Sequence, residues 1–198
     1  MGRWEPNARG RLEQAAMELY VERGFDNTTV AEIASRAGLT ERTFFRHFAD
    51  KREVLFGGAP ALEERLVGAV LDAPAATAPL DAVALALEAA GSFFEGNRDR
   101  VRSRQMVVES NPELRERELI KLASLASALA DALRRRGVQD PAAALAAEAG
   151  LAVFRVALGR WIHGAGAGDL AAELRASFDE LRAVTTPRRP SRTLRRER

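Results

Sequence analysis

Residues 28–51 read TTVAEIASRAGLTERTFFRHFADK, and the reading of this chain starts from them. Thr29 with Glu32 three residues later is a capping box, so a helix opens there with Val30, Ile33, Ala34 and Ala37 as its buried stripe. Gly38 permits a sharp turn. Thr40 caps a second short helix, whose inward face is Phe44, Phe45 and Phe48, with core packing favoured for Phe44 and Phe48. Asp50 with Glu53 is a second capping box, and the spacing predicts a further helix from near Lys51 toward Leu71, with the Gly57–Gly58 and Pro60 region as a candidate break. A short helix, a glycine-containing turn and a second short helix is the arrangement that lays one helix in the major groove of duplex DNA.

That arrangement assigns roles. The first turn of the second helix, Thr40, Glu41, Arg42 and Thr43, can reach base edges, and Arg42 is suited to bidentate pairing with guanine. The N-terminus of the preceding helix, with the Thr28 and Thr29 hydroxyls and its free amides, can meet a phosphate. Arg46, His47 and Lys51 lie where they can reach the flanking backbone. The threonines serve equally well as plain caps, and their spacing does not separate the two uses.

Upstream, Leu12, Ala15, Ala16, Leu19 and Tyr20 recur at helical spacing, which predicts a helix from Asn7 to Arg23 with Gly24 as its stop. Downstream, residues 72–79 (DAPAATAP) form a linker-like break. Further helices are predicted over 80–96, 98–109, 112–136, 141–163 and from Leu170, the last along the apolar line Leu170, Leu174, Phe178 and Leu181. The predicted fold is all-α, with about nine helices. A three-helix DNA-binding domain spans 1–56 and a helical ligand-binding and dimerisation domain spans 57–186. Residues 187–198 form a basic tail expected to be disordered.

The 198 residues are 46% apolar and 29% charged, enough for a core and a polar surface. Without cysteine there is no disulfide and no thiolate metal site. The first residues lack the apolar stretch of a signal peptide, and no run approaches the roughly 18 apolar residues that cross a bilayer. A soluble, cytoplasmic protein is therefore expected, with no membrane partner and no cofactor. Charge by itself is a poor guide here. Residues 1–57 are neutral overall, 58–185 are net −3, and 186–198 are net +5, so the tail accounts for the basic balance.

Residues 8–56 as a whole, from LEQAAMELYVERGFDNTTV through the helix-turn-helix to HFADK, resemble the TetR family of transcriptional regulators. The resemblance implies an all-helical homodimer that binds a palindromic double-stranded operator, usually as a repressor, with a small molecule in the C-terminal domain lowering DNA affinity. It implies base contact from Thr40–Thr43 and phosphate contact from Thr29, Thr43, His47 and Lys51. Phe45 stands where that family usually has tyrosine; it lacks the phosphate-bonding hydroxyl but can touch a thymine methyl. The segment NPELRERELIKLASLASALADALRRRG with the alanine-rich helix ending in RWI resembles the subset that includes the mycofactocin-system regulator, which implies an acyl-CoA-type effector.

The helix over 141–163 is apolar nearly all round, so both sides are expected to be covered. Leu145, Ala149, Ala152 and Val156, with Leu174, Phe178 and Leu181 of the last helix, make a candidate dimer interface. Phe93, Phe94, Met106, Phe154 and Trp161 are candidate walls of an effector pocket, each also readable as ordinary core. Arg98, Arg100, Arg102 and Arg104 form a basic cluster that reads mainly as a solvated face, with Arg104 a candidate for an anionic ligand. The expected switch is a shift in which the 98–109 helix pushes the fourth helix and respaces the two DNA-reading heads. Two alternatives stand beside this. Catalysis has little to rest on: two histidines, no cysteine, and a Gly164–Gly168 run that follows a helix rather than a strand. The other is a helical protein-interaction module with a purely structural helix-turn-helix.

Overall fold

A computed structural model describes residues 7–91, 94, 96–164 and 168–186. Among them every regular element is helical: α1 (Ala8–Arg23), α2 (Val30–Arg36), α3 (Glu41–His47), a 3-10 turn (Glu53–Phe56), α4 (Ala59–Asp72), α5 (Pro79–Ala90), α6 (Arg98–Ser110), α7 (Pro112–Arg135), α8 (Ala142–His163) and α9 (Leu170–Thr185). The predicted tail, 187–198, and Phe93 lie outside the described residues.

Two hydrophobic cores form. The first gathers Leu12, Leu19, Ile33, Phe44 and Phe48 of the N-terminal helices with Val54, Leu55 and Phe56. The second joins α4, α5, α7, α8 and α9 around Leu66, Leu87, Leu129, Leu133, Ala147 and Phe178. Small residues bring the helices of this second core together: a Cβ on Gly150 would stand 2.4 Å from Val83 Cγ1, so α8 and α5 touch there only because the side chain is absent. The first core is completed from outside residues 1–56 by Val107 and Val108 of α6 and Leu114 of α7. The corner between α6 and α7 is thus part of the head.

The helix predicted from Lys51 does not form. Asp50 does cap, accepting the amides of Arg52 (2.8 Å) and Glu53 (3.1 Å). Glu53, which a capping box would turn back onto Asp50, reaches across to α7 instead. The result is one 3-10 turn, a break at Gly57–Gly58, and a helix only from Ala59.

Contrary to expectation, α8 is long and apolar enough to cross a membrane by length and composition, with a mean hydropathy of 1.6 in its most apolar window. Its sequence reads that way because one side packs in the bundle while the other is rich in alanine.

Candidate nucleic-acid interface

The reading helix is held from below. Gly38, at φ +64°, turns the chain between α2 and α3, and Leu39 N–H closes the turn onto the Ala34 carbonyl at 2.8 Å. Arg11 of α1 donates to the Ala37 carbonyl and braces the same turn. The Thr40 hydroxyl accepts the Thr43 amide (3.2 Å) and shares a hydrogen with the Thr43 hydroxyl (3.1 Å), which caps α3. Phe44 and Phe48 are buried beneath it. Behind α3, the buried Tyr20 phenol donates to the Lys51 carbonyl at 2.6 Å; burial first, then the nearby Asp50 charge, pushes its pKa up and keeps it a donor.

The outward side of α3 is different. Glu41, Arg42, Phe45 and Arg46 are exposed, and neither Arg42 nor Arg46 makes a hydrogen bond or ion pair among the described residues. At 3.6 residues per turn these two arginines form the crest of the helix, with Phe45 on one flank and Thr43 on the other. Phe45 is 55% exposed, its ring in edge contact with Phe44 at 5.4 Å between centroids, which corrects its placement on the inward face. Two free guanidinium groups beside a capped N-terminus are suited to guanine edges and phosphates.

The neighbouring residues divide. Thr29 is exposed, and its amide and hydroxyl both meet Glu32 in the expected capping box. Burial weighs less on the Glu32 carboxyl than the hydrogen bonds from the Thr29 backbone and hydroxyl, which hold it below the ordinary carboxylate range. Thr28 corrects the expectation of a phosphate-facing hydroxyl: it is buried, and its hydroxyl donates to the Gly24 carbonyl at 2.9 Å. Lys51 also departs from its expected role. Its ammonium donates to the carbonyls of Phe25 and Thr28, each at 2.8 Å, and lies 4.3 Å from the Phe25 ring centre, so it ties the α1–α2 loop rather than projecting outward. His47 is half-buried, with its Nε2 covered.

Of the arginine row of α6 only Arg100 is largely solvated. Arg98 and Arg102 cap the end of α8 by donating to the carbonyls of Gly164 and Ile162. Arg100 meets Glu13 of α1 at 3.4 Å. Arg104 donates to the Leu55 carbonyl (2.8 Å), pairs with Glu118 of α7 (2.8 Å) and covers the Phe56 ring, so it joins α6 to the 3-10 turn and α7.

The pocket expected in the larger domain changes accordingly. Met106 is 52% exposed on the outer side of α6, while Val107 and Val108 turn inward. Phe94 and Phe154 pack ring to ring at 6.0 Å. Trp161 is buried, and its indole N–H donates to the Gly168 carbonyl. Beside it lies an open cleft of about 240 Å³, lined by Gly91, Gly96, Arg98, Trp161, Gly168, Asp169 and Leu170.

Of the residues expected at a dimer face, those of α8 are open and two of the three on α9 are not. Leu145 and Val156 are more than half exposed, Ala152 is exposed and Ala149 half-buried, one stripe along α8. Leu174 and Phe178 are instead buried in the subunit's own core, since α9 turns its apolar line toward α5 and α8; Leu181 is half-buried.

Sequence reading missed the joint itself. Glu53 takes hydrogen bonds from Arg117 and, at 3.1 Å, from Lys121. The Asn111 amide donates to Asp26 at 3.0 Å while its oxygen caps α7. The i, i+4 spacing of Arg117 and Lys121 places both on one face of α7, which was the available signal. The acidic partner 64 residues away was not readable locally.

Residues 13–56 match the family described as bacterial regulatory proteins, tetR family, and residues 77–186, more than half of the chain, match the MftR C-terminal domain. The chain is 29% identical over 136 residues to the mycofactocin biosynthesis transcriptional regulator MftR of Mycobacterium tuberculosis, covering 69% of each protein. It is 40% identical over 81 residues to the HTH-type transcriptional regulator TcmR of Streptomyces glaucescens, spanning 41% of this chain and 36% of that one. In fold it is similar to Thermus thermophilus FadR, a TetR-family repressor solved with lauroyl-CoA (24% identity, TM-score 0.56, 92% of this chain and 97% of that one). Bacillus subtilis FadR, solved with stearoyl-CoA, is similar at TM-score 0.61 and 20% identity, over 87% of this chain and 96% of that one.

Proposed function

This chain belongs to the TetR family of bacterial regulatory proteins, with an MftR-type C-terminal domain, and from that premise we propose a homodimeric, effector-released repressor that reads a palindromic operator with α3. It is a sequence-specific DNA-binding transcriptional regulator working in the bacterial cytoplasm. The observation that carries the reading is the exposed, unengaged pair Arg42 and Arg46 on a capped helix seated on buried Phe44 and Phe48. The exposed stripe of α8 supports the dimer: four apolar or small residues in register need a partner, and a second copy brings a second α3 to the next major groove about 34 Å away.

An acyl-CoA-class effector is the candidate inducer, by analogy with the FadR proteins solved with lauroyl-CoA and stearoyl-CoA. Its signal has a short path. Helix α6 packs chiefly on α1, α7 and α8, so a shift at the α8–α9 end of α6 reaches the head through Arg104, Val107 and Val108 rather than by pushing α4. A coupling of about 1–3 kcal/mol is what such a device needs.

The test is selection of binding sites from random duplexes. The expected product is an inverted repeat, bound far more tightly than scrambled DNA and with a steep salt dependence. Acyl-CoA of graded chain length should then weaken the complex. Recovery of no enriched sequence would end the reading and favour a protein-interaction module.

A further inference from the structure

Resting on the reading of the α8 stripe as the seat of a second copy, we propose that Glu148 and Arg155 form a reciprocal ion pair across that contact. The pair sets an antiparallel register and selects this chain's own copy as partner. Both side chains are exposed, and neither makes a hydrogen bond or ion pair among the described residues. Charges close by are engaged: Arg160 pairs with Glu180 of α9 at 3.0 Å, and Arg134 joins Asp131 and Asp140 at the corner between α7 and α8. Seven residues span about 10 Å along a helix, so Glu148 and Arg155 do not close on each other within one α8.

At 3.6 residues per turn the two charges share one flank of the line through the exposed Ala152, about 40–60° round from it. Leu145, Ala149 and Val156 lie on the other flank, the side where Arg160 reaches α9. A two-fold axis that sets two helices face to face and antiparallel brings like flanks together. With that axis beside Ala152, Glu148 of each copy stands opposite the partner's Arg155, and one pair is made twice. In a parallel arrangement opposite flanks meet, and neither charge finds the other. Charges beside an apolar seam govern partner choice and orientation, because like charges brought face to face cost more than an exposed pair gains. A subunit carrying these two charges in the reverse order is therefore rejected at both ends.

The experiment uses the full-length chain, with self-association measured by sedimentation and mixtures sorted by native mass spectrometry. Glu148→Arg sets arginine against arginine twice, and Arg155→Glu sets glutamate against glutamate. Each alone should lose roughly tenfold or more in dimer affinity, and the loss should shrink in about 1 M salt. Mixed together, the two single variants restore opposite charges at both places, so mixed dimers should well exceed the half that random pairing gives. This recovery also shows that the variants fold, since a misfolded chain is not rescued by mixing. Glu148→Arg with Arg155→Glu in one chain should pair with itself as wild type does and avoid the wild-type chain. Single variants that dimerise like wild type, or mixtures that sort at random or stay unpaired, overturn this inference and leave the homodimer standing. A wild-type chain that remains monomeric overturns both.

Discussion

Helix α6 carries four arginines in seven residues and α3 carries two in five, yet the two sets are used in opposite ways. Every arginine of α6 is spent on the protein: Arg98 and Arg102 on the end of α8, Arg100 on α1, and Arg104 on the 3-10 turn and α7. Those of α3 are exposed and make no hydrogen bond or ion pair among the described residues. Density of positive charge would have ranked α6 as the polyanion site. An arginine already satisfied by carbonyls and carboxylates has little left to offer a phosphate, whereas an unengaged one on a rigid helix loses only its water.

Four variants test this contrast. The largest effect is expected for Arg42→Ala with Arg46→Ala, which should lower affinity for the selected operator by roughly ten- to a hundredfold and flatten base preference. The melting temperature should stay unchanged, because both residues are exposed and make no hydrogen bond or ion pair among the described residues; a large drop in it would break the contrast. Arg104→Ala should do the reverse. Losing a carbonyl bond and a partly buried ion pair costs about 1–3 kcal/mol, read as a melting shift of about 3–8 °C, with base preference kept.

Glu53→Gln is next, at about 1–2 kcal/mol. Burial disfavours the charged Glu53, but hydrogen bonds from Arg117 and Lys121 outweigh it and hold the carboxyl below its ordinary range. A carboxyl lowered in the folded state contributes stability above its unfolded pKa of about 4.3, and that contribution disappears as pH falls through the folded value. The stability difference between wild type and Glu53→Gln should therefore be full near neutrality and vanish in acid below about pH 4. A constant difference across that window would show that Glu53 does not act through its charge. Arg100→Ala should do least. Its pair with Glu13 is long and Arg100 is 55% exposed, so a change within about 0.5 kcal/mol is expected and DNA affinity should be unmoved.

Much of the reading site was legible because it is built from local rules. The Thr29–Glu32 box, the positive-φ Gly38, the Thr40 cap and the burial of Phe44 and Phe48 all depend on residues within a turn or two of one another. Phe45 was placed inward because three phenylalanines invite one face; helical geometry separates it from Phe44 by one residue and turns it out. Thr28 shows the same limit from the other side. A threonine before a helix can cap or bury, and the carbonyl of Gly24 decided for burial.

The α6–α7 joint was not legible, since its pairs are separated by tens of residues: Arg104 with Leu55, Glu53 with Arg117, Asn111 with Asp26. The place of the α9 apolar line was not legible either. Periodicity marked Leu174 and Phe178 as apolar, but an apolar line fits a subunit's core and an interface alike, and packing assigned them to the core.

The amino-acid sequence by itself determined the helical class, the caps and turn of the reading motif, and the family. These follow from short-range hydrogen bonding and side-chain periodicity, which act between neighbours along the chain. Only the tertiary structure decided which charges stay free. That depends on which carbonyls and carboxylates other helices bring within about 3 Å, and it is why Arg42 faces outward unengaged while Arg104 ties α6 to the 3-10 turn and α7.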